Sequence, residues 1–337
     1  MTQTVVFDAD VLGRRRTGDE TYVSNLLREL GSVAGDLRIV ALTRRPELVP
    51  DGVEPYMLAT RSQELRMTVG VPRALRRLRP DLIHFQHVLP PFDSTPAVVT
   101  VHDLSFERDA TVMSRLDRRV FRTFVPRAVR RARRVLTVSE RTKRDLVELY
   151  DTPPEKIVVT PNGVDPSFAP AADGEPDGYL LYVGAIQARK DPLAAAAAAA
   201  EVGLPLVVVG PEKEPALAGE LRARGADLRG YVDGPDLVRL YRRASALVFP
   251  SRYEGFGLPV LEAMACGTPV VATDDPAVRE VAGDAAVYAP ASELAAAVRT
   301  AIADRSRLVA AGLARARLFS WQETARRTLD AYREALQ

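Results

Sequence analysis

Short apolar, β-branched runs alternate with helical stretches along this chain, and that alternation rules out most folds before any motif is read. Strands are expected at 4–8, 38–42, 81–85, 97–101, 134–138 and 157–160, then at 179–183, 205–209, 227–232, 246–250, 269–272 and 285–289. Helices are expected between them, at 22–31, 63–79, 114–133, 140–150, 191–202, 214–224, 236–244, 259–266, 276–282 and 291–317. Strand–helix alternation of this kind builds parallel sheets with crossover helices. Runs such as Pro205-Leu206-Val207-Val208-Val209 are apolar throughout, which suits strands covered on both faces. At 337 residues the chain is longer than one core usually organises. The expected architecture is therefore α/β, with two successive doubly wound domains. Residues 165–178, with three prolines and two glycines, have the composition of a joint. The expected boundaries are 1–168 and 177–318, followed by a helix at 319–337 that crosses back to the first domain.

Composition narrows the setting. One cysteine, Cys266, excludes an internal disulfide and suits a reducing compartment. No apolar run approaches the roughly 20 residues needed to span a bilayer. Thr4-Val5-Val6-Phe7-Asp8 reads as a strand from the outset, so no leader is expected and the placement expected is cytoplasmic. Net charge is +2, unevenly spread: residues 1–170 hold 27 Lys and Arg against 22 Asp and Glu. Much of that excess lies in the 118–134 segment, where Arg118, Arg119, Arg122, Arg127, Arg130, Arg131, Arg133 and Arg134 accompany Val120, Phe121, Phe124, Val125 and Val129. Such a helix suits an anionic membrane face or an acidic acceptor; it also suits a plain solvated surface.

The densest chemistry runs from Tyr253 to Thr273. It follows the strand 246–250, so it occupies a carboxyl-end loop, where open α/β sheets bind ligands. Gly255 and Gly257 permit close backbone approach, and Pro259 stands where a helix begins. The amides of that helix end offer a seat for a diphosphate. Glu254 and Glu262 flank the turn, and carboxylates so close to phosphate make sense as partners for hydroxyls. A second element, Tyr182-Val183-Gly184 through Arg189-Lys190-Asp191, sets two cations ahead of a helix. Cations there stabilise charge developing on a departing diphosphate; elsewhere such a pair is ordinary surface charge.

Glu254 and Glu262, with seven residues between them, resemble the paired-glutamate signature of the retaining glycosyltransferases of family four (glycosyl transferases group 1). Glu-Gly-Phe-Gly-Leu-Pro and Glu-Ala-Met-Ala-Cys-Gly-Thr-Pro-Val-Val carry the resemblance, which spans nearly the whole chain. It implies the GT-B fold, two Rossmann-like doubly wound domains facing across a cleft, with acceptor on the N-terminal side and nucleotide sugar on the C-terminal side. By the same resemblance Glu262 binds the nucleotide ribose and Glu254 lies beside the transferred sugar. Arg189 and Lys190 grip the diphosphate, and Gly184, Gly255, Phe256, Gly257 and Leu258 line the donor site. His102, at the end of strand 97–101, contacts the donor sugar, with Asp103 capping the next segment. Gly18 belongs to the first glycine loop, into which this chain inserts Arg14, Arg15 and Arg16. Gln187-Ala188 departs from the acidic residue the family more often carries before its arginine.

The implied partners are a nucleotide-diphosphate sugar, with GDP-mannose or a UDP-sugar foremost, and a glycan, lipid-linked or small-molecule acceptor. No nucleic acid, cofactor or essential metal is expected. His84 and His87 fall on opposite sides of an extended strand, which argues against a metal site with His102. Cys266 reads as a packed mid-helix residue without a paired histidine. The rivals are a nucleotide-sugar epimerase, which needs no acceptor, and a basic adaptor, which leaves the glutamate pair unexplained. An NAD enzyme is disfavoured because no G-x-G-x-x-G follows the first strand.

Overall fold

The computed structural model describes all residues except 1, 15, 16, 61, 63, 64, 92, 110–112 and 171–175. Two compact units result: 1–108, 113–163 and 321–337 form the first, and 164–320 the second.

In the first unit, β1 (Gln3–Asp8) leads to α1 (Thr17–Val33), then β2 (Leu37–Thr43) and β3 (Glu54–Met57). A π turn (Arg66–Gly70) runs into α2 (Val71–Leu78), followed by β4 (Leu82–Gln86) and β5 (Ala97–Val101). Next come α3 (Ser105–Arg108), α4 (Arg115–Arg131), β6 (Arg134–Thr137), α5 (Glu140–Tyr150) and β7 (Ile157–Val159). All pairings are parallel, in the order β3-β2-β1-β4-β5-β6-β7. The order reverses between β1 and β4, the switch point at which such sheets bind ligands at their carboxyl ends. Val6, Val40, Ile83, Phe85, Val99 and Val135 pack beneath Val125, Ala128 and Val129 of α4 as one core.

The second unit repeats the plan: β8 (Leu180–Val183), α6 (Pro192–Val202), β9 (Leu206–Val209), α7 (Pro215–Ala223), β10 (Asp227–Gly230), α8 (Gly234–Arg243) and β11 (Ala246–Phe249). After these come α9 (Leu258–Ala265), β12 (Val270–Ala272), α10 (Pro276–Ala282), β13 (Ala286–Tyr288), α11 (Leu294–Ala303) and α12 (Arg305–Ala316). The parallel order is β10-β9-β8-β11-β12-β13, so its switch point lies between β8 and β11. Ala195, Ala198 and Ala199 of α6 are buried with Ala295, Val298 and Ala301 of α11, the close packing the alanine run permits.

The last helix, α13 (Trp321–Leu336), belongs to the first unit. Thr324 Oγ1 donates to Pro161 O at 2.6 Å, and Arg133 Nη1 donates to Ala335 O at 2.5 Å.

The sequence reading did not anticipate the short helix α3, and three further elements differ from it. The single helix expected at 291–317 is two, because Asp304, at φ −101° and ψ 24°, ends α11 and its carbonyl starts α12 by accepting from Leu308 N. Where one helix was expected from 63, a π turn precedes α2, and residues 63 and 64 lie outside the described residues; Pro72 has no amide to continue an α-helical ladder backwards. Strand β3 was not anticipated: Glu54 and Pro55 break the strand pattern, which an edge strand tolerates.

Candidate active site

In the second unit the chain leaves β11 and turns through residues 250–257 before α9. Gly257 has φ +106°, a left-handed conformation that favours glycine, and it is the N-terminal cap of α9. Gly255 and Phe256 are buried beside it, with the Phe256 ring 5.8 Å from Phe319. Glu254 is 7% exposed. Its Oε1 accepts from Lys190 Nζ at 2.9 Å, with Arg189 Nη1 4.0 Å away, and its amide donates to Asp275 Oδ2 at 3.3 Å. Burial alone would raise this carboxyl; the Lys190 ammonium, the Arg189 guanidinium and the Ser251 hydroxyl outweigh it and hold the group below its ordinary range.

Arg189 is 8% exposed and donates to the carbonyl of Tyr253 through Nη1, while its Nε is buried with no partner. Lys190 also lies over the Phe249 ring at 5.6 Å. The turn that carries both cations is pinned from two sides. Arg252 N donates to Arg189 O at 3.0 Å, and Ala188 N donates to Glu214 Oε1 at 2.9 Å. That second bond gives Gln187-Ala188 an acidic partner from a different element. Gly184, at the end of β8, leaves room for Lys190, whose Cδ would stand 3.2 Å from a Cβ there. Behind it Gly210, at φ +140°, brings its Cα so close that a Cβ would meet Gly184 O at 2.1 Å. Neither Gly210 nor Asp275 was singled out from the sequence; the Gly-Pro step straight after strand β9 was the available signal.

Glu262 projects from α9 half-buried, accepting at Oε2 from the buried Tyr241 hydroxyl at 2.8 Å. Burial pushes its carboxyl up to about 7; the Tyr241 hydrogen bond opposes this and the charge of Asp165 adds to it. Leu258 opens the helix between the two glutamates. Cys266 follows α9 as its C-cap and not mid-helix, and burial pushes its thiol up to about 12. That excludes it as a thiolate at neutral pH.

In the first unit His102 stands at the carboxyl end of β5. Its Nε2 lies 3.0 Å from Gln86 Oε1, and the Tyr22 ring meets it edge-on at 4.6 Å. Burial pushes it down to about 4, against the pull of Asp19 and Asp103, so the ring is neutral at physiological pH. Asp103 Oδ1 accepts from Ser105 N at 2.8 Å, a capping bond for α3. His84 is fully buried, with Nδ1 2.6 Å from Tyr332 Oη and Nε2 2.7 Å from Thr100 Oγ1; Thr100 in turn lies 3.0 Å from Tyr22 Oη. A buried chain thus runs from α13 through β4 and β5 to α1, whose Tyr22 abuts His102. The chain of contacts was not legible in the sequence, because strand register and helix packing bring distant residues together. Among the described residues no group of three or more His, Cys, Asp or Glu could hold a metal ion.

Gly18 lies in the first turn of α1, where a Cβ would meet nothing. Of the three loop arginines, Arg14 pairs with Asp10, which also takes Arg44 in a fork at 2.8 Å, and Arg15 and Arg16 lie outside the described residues. In α4 the residues Leu116, Val120 and Phe124 form an exposed stripe among arginines. Among the described residues no helix is long and apolar enough to cross a membrane.

Residues 16–168 match the family described as Glycosyltransferase Family 4, and residues 177–304 match Glycosyl transferases group 1. The O-antigen chain mannosyltransferase B of Escherichia coli is 29% identical over 325 residues, 88% of this chain and 83% of that protein. The glycogen synthase of Mycobacterium tuberculosis is 30% identical over 294 residues, 76% of this chain and 69% of that protein. Among solved structures, Anabaena HepE in complex with UDP-glucose superposes with a TM-score of 0.76 at 16% identity, covering 98% of this chain and 99% of that one. The chain belongs to this family: it is a glycosyltransferase of group 1 and family 4, built on two parallel-sheet α/β domains.

Proposed function

We propose that this glycosyltransferase moves a hexose from a nucleotide-diphosphate sugar to an acceptor hydroxyl with retention of anomeric configuration, without cofactor or essential metal. The observation that carries the reading is the Arg189–Lys190–Glu254 cluster beside the N-terminus of α9: two cations and helix amides for a diphosphate, and a carboxylate for sugar hydroxyls. Glu262 takes the ribose diol, and Gly184, Gly255, Phe256, Gly257 and Leu258 supply close approach and backbone donors. In the first unit, His102 and Gly18 are the residues we assign to substrate contact. The bond from C1 to the phosphate oxygen breaks, with the negative charge passing to the diphosphate held by Arg189 and Lys190. The acceptor oxygen bonds C1 from the same face, and its proton goes to a phosphate oxygen. GDP-mannose and UDP-glucose are the donors to try first, since one relative is named a mannosyltransferase and one structural neighbour binds UDP-glucose.

The acceptor is a glycan, a lipid-linked sugar or a small polyol. The exposed Leu116, Val120 and Phe124, at 73%, 42% and 44%, lie among arginines of α4 and support peripheral docking to an anionic lipid face. Flotation with vesicles containing anionic phosphatidylglycerol, compared between wild type and Phe124→Asp, reads that contact.

The deciding experiment incubates the protein with a panel of UDP-, GDP- and dTDP-sugars, with and without acceptor, and follows products by NMR. Acceptor-dependent product with the donor's anomeric configuration is expected, and Arg189→Ala should lower kcat more than it raises donor KM. Conversion of donor to its epimer without acceptor would refute the reading.

A further inference from the structure

Strand β4 ends in two residues that the donor-side chemistry leaves unexplained. His87 has φ +58°, a left-handed backbone that a non-glycine residue adopts at an energetic cost. Strain of this kind persists only where surroundings enforce it, and it concentrates at binding and catalytic sites. Here the enforcement is a tight turn: His87 N donates to Thr100 O at 2.8 Å, and Val88 N donates to Gln86 O at 2.6 Å. The His87 ring is thereby held 5.4 Å from the ring of His102 and 5.8 Å from that of Phe121. Two polar atoms of this turn, His87 Nδ1 and Gln86 Nε2, are buried with no hydrogen-bond partner. Native structures leave few such groups, and each calls for an explanation. The turn also follows the strand at the first sheet's switch point, where doubly wound sheets take their ligands.

The two unpaired nitrogens are chemically complementary. Gln86 Nε2 is a donor, since its Oε1 already faces His102 Nε2 at 3.0 Å. His87 Nδ1 is an acceptor when the ring proton is on Nε2. An alcohol hydroxyl has the chemistry that each lacks, since it can accept from the amide and donate to the imidazole. A phosphate or carboxylate offers acceptors alone and leaves the imidazole nitrogen unmatched. We propose that Gln86 and His87 together bind a hydroxyl of the acceptor, which makes His87 a specificity-determining residue for a polyol. The proposal rests on the reading that this enzyme transfers sugar to an alcohol. It also gives the strained backbone a role, since the turn holds the ring beside that of His102.

His87→Gly separates the two roles. Glycine accepts the left-handed backbone freely, which offsets part of the cost of losing the ring's contacts with His102 and Phe121, so this variant should still fold cooperatively. His87→Asn, a side chain that tolerates the same conformation, provides a second route. Initial rates are measured with UDP-glucose and GDP-mannose as donors, and with octyl α-mannoside, myo-inositol and D-inositol 3-phosphate as acceptors. Loss of a hydrogen bond of ordinary strength predicts acceptor KM raised about tenfold in His87→Gly, with His87→Asn, whose Oδ1 accepts in place of Nδ1, closer to wild type and donor KM within about twofold in both. An acceptor KM within about twofold of wild type in both variants overturns the proposal and leaves the transferase reading intact. So do equal rises in the two KM values, or failure of both variants to fold. A wild type that transfers to none of these alcohols sinks the parent reading, and the assignment of His87 falls with it.

Discussion

Tyr241 donates to Glu262 Oε2 at 2.8 Å, yet burial still pushes that carboxyl up to about 7, well above its ordinary 4.5. The folded protein therefore binds a proton at Glu262 that the unfolded chain releases near 4.5. This group's contribution to stability is full below about 4.5 and declines as pH rises through about 7. Under the role proposed for Glu262, ribose binding should have the opposite dependence, since only the ionised carboxylate accepts from both hydroxyls. Donor KM should fall as pH is raised from about 6 to 8, and Glu262→Gln should flatten that profile in steady-state assays. Gly210 carries a steric prediction. A Cβ there would meet Gly184 O at 2.1 Å at φ +140°, so Gly210→Ala should cost about 2–3 kcal/mol in urea unfolding. Gly18→Ala, where a Cβ meets nothing, should change stability little in the same assay. The residues legible in the sequence were those whose chemistry is contiguous, such as Glu254 with Glu262 and Arg189 with Lys190. Gly210, Gln86 and His87 were not legible as a site, because their significance arises from atoms brought close by strand register and turn geometry.

Helix α13 supplies one hydrogen bond on which a buried chain depends. Tyr332 Oη is the partner of His84 Nδ1, and burial pushes His84 down to about 3, so the ring is a neutral link to Thr100 and Tyr22. Tyr332→Phe leaves that nitrogen buried and unpaired, at a cost of about 1–3 kcal/mol measurable by thermal unfolding of the first unit. Because Tyr22 abuts His102, the variant should also lower kcat by several-fold, while Thr328→Ser, elsewhere on the helix, should not. The order of strands and helices was readable from periodicity, since strands covered on both faces are apolar runs and their crossovers carry helical spacing. What escaped was governed by single backbone groups. Asp304 divides α11 from α12, Pro72 withholds an amide before α2, and Pro55 hides an edge strand. Asp304 and Pro72 leave the hydrophobic periodicity unaltered, whereas Glu54 and Pro55 interrupt it.

Across the whole molecule, the two units are not equally continuous in sequence: the first is completed by residues 321–337, which come after all of 164–320. A chain ending at Ser320 should lose the first unit's stability and keep the second's. Calorimetry and limited proteolysis would show a protected fragment within 164–320, whereas loss of both units together would refute this. The same arrangement has a consequence for biosynthesis. At roughly 5–20 residues per second, the ribosome needs on the order of 10–30 s to make the second unit after finishing β7. Throughout that interval the nascent first sheet lacks the helix that covers Tyr22 and His84, and its exposed apolar flank is open to chaperones and to mispairing. Loss of residues 321–337 would leave a complete second unit on a chain whose first unit is unfinished, so correct folding of the first unit is decided only after the second has been made.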